Sequence, residues 1–69
     1  MNNLAHQLIF AIADKSFGGE LPDDSGVVVA AIVNCLLVGA DAEVLQALVP
    51  ELFDAANAYI RMQRREERQ

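Results

Sequence analysis

The sequence predicts an all-α protein, a small bundle of three to four helices. Apolar residues recur at helical spacing in several segments, and capping residues and glycines flank those segments. Only one stretch has a strand-like composition, so a strand there would have no partner for its backbone hydrogen bonds. The chain has 69 residues, of which 54% are hydrophobic, enough for one folding unit but not for two. We therefore expect a single helical domain over residues 1–69, with a C-terminal end that frays at about 66–69.

The first helix is predicted over about residues 3–16, and Gly18 and Gly19 follow it as a helix stop. Its apolar positions at helical spacing are Leu4, Leu8, Ala11 and Ile12, widened by Ala5 and Ile9. Leu21 is the only large apolar side chain in the loop that comes next. We expect this leucine to plug the core.

The second helix is predicted over about residues 26–38, although its valines and isoleucines favour a strand. The reasons for a helix are the length of the run, the candidate N-caps Asp23, Asp24 and Ser25, and the stop at Gly39. The segment is apolar on every side except Asn34. This pattern predicts a central helix that the rest of the protein surrounds.

Asp41 can cap a third helix that runs through Leu48. Pro50 is expected to break or kink it, because a proline inside a helix removes a hydrogen bond and clashes with the preceding turn. A final helix is then predicted over residues 50–65. Its expected inner face consists of Leu52, Phe53, Ala56, Tyr59, Ile60 and Gln63.

The apolar content exceeds what a core of this size can hide, which predicts a homodimer or a persistent complex with a partner protein. Asn34 would set the register of such an interface through a hydrogen bond. Tyr59, the only tyrosine, could place its ring in the core or interface and its hydroxyl at the rim.

Charge is the strongest functional signal in the sequence. The chain has ten acidic and five basic residues and a net charge of −5; residues 1–60 hold eight acids and one base, or −7, and residues 61–69 hold four bases and two acids, or +2. One interpretation is that the acids only keep the protein soluble. The other is an acidic face that binds a protein partner with a basic surface, such as one that holds nucleic acid; its residues would be Glu20, Asp23, Asp24, Asp41 and Glu43.

Four arginines, Arg61, Arg64, Arg65 and Arg68, lie in the predicted last turns, where positive charge suits the helix dipole. They could also contact an acidic patch on a protein partner. Direct binding of nucleic acid is disfavoured, because the −7 body would be repelled by phosphates.

The sequence predicts no catalytic residues, no metal site and no cofactor, and hence a protein that is not an enzyme. His6 has no ligand at metal-binding spacing, and Cys35 has no basic neighbour to activate it. Residues 1–13 carry no Lys or Arg, and the longest apolar run is well below the ~20 residues of a membrane span. We therefore expect a cytoplasmic protein without a membrane anchor.

Its small size, its helical layout and its acids together resemble the small acidic inhibitors that phages and mobile elements encode, including anti-CRISPR proteins. The acids are Asp14, Glu20, Asp23, Asp24, Asp41, Glu43, Glu51 and Asp54. The resemblance implies binding to a subunit of a CRISPR surveillance complex, where nucleic acid would otherwise lie. The alternative function is a homodimeric structural or regulatory module, such as an antitoxin-like partner or an assembly subunit.

Overall fold

Three α-helices form the protein, and the computed structural model describes them over residues 4–67, with side chains to residue 65. The helices are α1 (Leu4–Phe17), α2 (Asp24–Leu37) and α3 (Ala42–Glu67). Within these described residues there is no strand, so the predicted all-α bundle is confirmed, with three helices. No helix in this part of the chain combines the length and the hydrophobicity that a membrane crossing requires.

The core lies where all three helices meet. Its buried residues are Ala5, Ile9, Ile12 and Ala13 of α1, Val27, Val28 and Ala31 of α2, Leu52, Ala55, Ala56 and Ile60 of α3, and Leu21 of the first loop. Leu21 is only 3% exposed, which confirms the expected plug. In α1 the buried stripe is shifted from the predicted one, because Leu4 and Ala11 are exposed.

Helix α2 begins at an aspartate cap and ends at a glycine. The Asp23 carboxylate accepts a hydrogen bond from the Gly26 N–H at 2.8 Å, which satisfies one of the unpaired donors of the first turn. After the helix, Gly39 has a φ of 89°, and the N–H of Ala40 donates to the carbonyl of Cys35 at 3.0 Å. This Schellman-type ending requires the left-handed conformation that glycine takes without strain.

The expectation that α2 is surrounded on all sides is wrong for the single chain. Only Val27, Val28 and Ala31 of this helix are buried. Two neighbouring helices cover little more than half of a third helix, so the opposite face of α2 remains exposed to solvent.

Of the two outcomes expected at Pro50, a break or a kink, the structure shows no break, and the final helix does not begin at residue 50. Helix α3 is continuous from Ala42 to Glu67 and contains Pro50. The expected cost of a proline inside a helix is ~3 kcal/mol. Leu45 before the proline and Leu52 after it are both buried on the same side of the helix, and burying each contributes about 1.5–3 kcal/mol. Continuity keeps both contacts and so offsets the proline.

Candidate docking surface

An apolar face on the outside of α2 is the main surface feature of this protein. Its residues, which we call the docking face, are Val29, Val33, Leu36, Leu37 and Val38. The first four recur at spacings of three and four residues and therefore lie on one side of the helix. Leu37 is 79% exposed and Val38 is 85% exposed, so these two side chains project furthest into solvent.

A groove lies beside the docking face, between the end of α2 and the beginning of α3. It has a volume of about 340 Å³ and is lined by Ile32, Leu36, Ala42, Leu45, Gln46 and Val49. Five of these six side chains are apolar. Leu45, although buried, does not belong to the cluster that forms the main core. The groove therefore belongs to a second apolar region, which α2 and α3 form without α1 and which is only partly covered.

Burying the exposed apolar surface would contribute a free energy that is large relative to the net stability of a chain this small. Fully burying a Val or Leu side chain contributes about 1.5–3 kcal/mol, so covering the exposed parts of the docking face would contribute about 5–10 kcal/mol. A single core of this size supplies roughly 3–5 kcal/mol of net stability. Association itself costs about 4–15 kcal/mol. The face can thus drive binding, and further contacts would decide how tight that binding is.

The acidic residues predicted to form one face lie in two groups. Glu20, Asp23 and Asp24 precede or begin α2, whereas Asp41 and Glu43 follow its end. The 14 residues of α2 separate the groups by about 20 Å at 1.5 Å per residue. The docking face therefore lies between these two groups of acids and carries no charge of its own.

Three of these acids also have structural roles. Asp23 caps α2, and the Asp41 carboxylate accepts from the Glu43 N–H at 2.9 Å, so Asp41 caps α3. The amide nitrogen of Asn57 lies 3.3 Å from a carboxylate oxygen of Asp24. Glu20 and Glu43 have exposed side chains, and their carboxylates are the most available for a partner.

Asn34 is exposed, not buried as the sequence pattern predicted. Its side-chain amide donates to the Ala30 carbonyl at 2.7 Å, one turn earlier in the same helix. This bond stays within α2, and the amide oxygen remains available. A register role at an interface is still a prediction.

Tyr59 connects elements within the chain. Its hydroxyl donates to the Gly19 carbonyl at 2.7 Å, and its half-buried ring meets the Phe10 ring edge-on, with centroids 4.9 Å apart. Both ends of the side chain thus hold the fold together, away from the docking face.

Gln63 connects α3 to the first loop. The sequence predicted that this residue lies on the inner face of the final helix but did not predict its partner. Its side-chain amide accepts from the Leu21 N–H at 2.9 Å and donates to the Leu21 carbonyl at 2.7 Å. This pair of bonds holds the leucine plug in the core.

The arginines Arg61, Arg64 and Arg65 are exposed on the last turns of α3. Arg68 lies outside the described residues. The three described side chains extend from the end of the bundle that also carries Glu20 and Asp23, opposite the groove.

No group of three or more potential metal ligands occurs among residues 4–67. His6 is exposed and lines a small surface depression with Ala5, Glu51 and Asp54. Cys35 is a free, half-buried thiol.

Comparisons with known protein families, with characterised proteins and with solved structures find no match for this chain.

Proposed function

We propose that this protein is a non-enzymatic cytoplasmic inhibitor that acts by contact with another protein. Its partner would be a host complex that presents a basic, nucleic-acid-handling surface, as for small phage proteins of the anti-CRISPR type. The observation that carries the proposal is the uncharged docking face between two groups of acids, Glu20, Asp23 and Asp24 before it and Asp41 and Glu43 after it. Such a surface favours a partner that offers apolar groups flanked by Lys or Arg.

The charges determine which partners can approach. Glu20 and Glu43 are exposed near opposite ends of α2, and residues 1–60 carry a net charge of −7. Within a Debye length of ~8 Å at physiological salt, this field attracts a basic protein surface and repels nucleic acid. The proposal therefore includes competition for a nucleic-acid site and excludes direct binding of DNA or RNA.

The test is a binding measurement with a panel of purified nucleic-acid-binding complexes, including a CRISPR surveillance complex. The protein should displace labelled target DNA from at least one of them, with an affinity that falls as salt rises. Glu20→Lys combined with Glu43→Lys should weaken binding at least tenfold.

The matched control is Glu51→Lys combined with Asp54→Lys, which makes the same change in net charge at two exposed positions of α3 that line a depression beside α1. This control should change affinity less than threefold. Equal effects of the two pairs, or no displacement from any complex in the panel, would show that the two groups of acids do not recognise such a partner.

A homodimeric structural or regulatory module is the second candidate function. The observation that favours it is the absence of charge on the docking face between Gly26 and Ala40, since two such faces can meet without repulsion. The two candidates compete for one surface, because a dimer joined through its apolar faces would cover the docking face that the basic partner is proposed to contact.

A further inference from the structure

We draw no further inference here: the strongest candidate, the apolar groove between the end of α2 and the beginning of α3, carries none, because nothing in the structure shows what covers it.

Discussion

The two ends of this bundle are held together by different interactions. At one end, which we call the closed end, the first loop is tied to α3 by side chains: Gln63 to Leu21 and Tyr59 to Gly19. At the other, the open end, the hydrogen bonds among residues 34–45 are local ones of the turn and caps, such as Gly39 to Leu36.

The difference shows that the two ends of this small chain have different roles. The loop of the closed end spans six residues between α1 and α2 and inserts Leu21 into the core. The turn of the open end spans four residues, 38–41, and leaves Leu37 exposed. Similar apolar side chains thus stabilise the fold at one end and remain available for association at the other.

The largest effect should come from removing the plug. Leu21→Ala should destabilise the protein by about 2–5 kcal/mol, because it leaves a cavity where a 3% exposed side chain was packed. Leu37→Ala is the matched control at the open end and should cost less than about 0.5 kcal/mol. Urea denaturation at low protein concentration, where association does not contribute, measures both. Equal losses would mean that the two ends do not differ in this way.

A smaller effect should follow from removing the Gln63 side chain, which holds the first loop in place. Gln63→Ala should cost about 1–3 kcal/mol, because the N–H and carbonyl of Leu21 lose their partners in a half-buried site. Gln46→Ala removes the same type of side chain from an exposed position in α3 and should cost less than about 0.5 kcal/mol. The same denaturation experiment compares them. If Gln46→Ala costs as much as Gln63→Ala, the open end is held by polar contacts after all.

The smallest effect should come from Tyr59→Phe. This change removes only the hydroxyl that donates to the Gly19 carbonyl and keeps the edge-on ring contact with Phe10. The expected loss is about 0.5–1.5 kcal/mol, measured by the shift of the denaturation midpoint at constant slope. An unchanged midpoint would show that water replaces the bond at no cost.

The helical segments could be predicted largely because their signals are local. The choice of helix for the valine-rich segment depended on its length and on caps, and the bond from the Gly26 N–H to Asp23 confirms the mechanism. Leu21 could be assigned to the core because no other large apolar residue occurs in its loop. Each of these signals lies within a few residues of the feature that it predicts.

Features that depend on tertiary geometry were not accessible in the same way. The sequence leaves open whether Pro50 breaks or kinks its helix, because burial on both sides of the proline decides the outcome and that burial involves the other two helices. The apolar pattern of α2 was interpreted as complete enclosure, since composition alone does not show how many neighbours a helix has. The sequence predicted one acidic face that includes both Glu20 and Glu43. It could not predict their separation, because a sequence does not show how far apart the two ends of α2 lie.

The reciprocal amide pair between Gln63 and Leu21 could not be foreseen, because 42 positions separate the two residues. The helical period of α3 placed Gln63 on the inner face. Nothing in the sequence identified which backbone groups it would meet.

Pro50 also has a consequence for motion. Proline has no backbone N–H, so the carbonyl one turn before it lacks its helical partner, at the point where α3 leaves the main core and enters the open end. Residues 42–49 should therefore separate from α2 at a lower free energy than the rest of α3 separates from its neighbours, and their amide hydrogens should exchange sooner. Any molecule that occupies the groove would slow that exchange selectively.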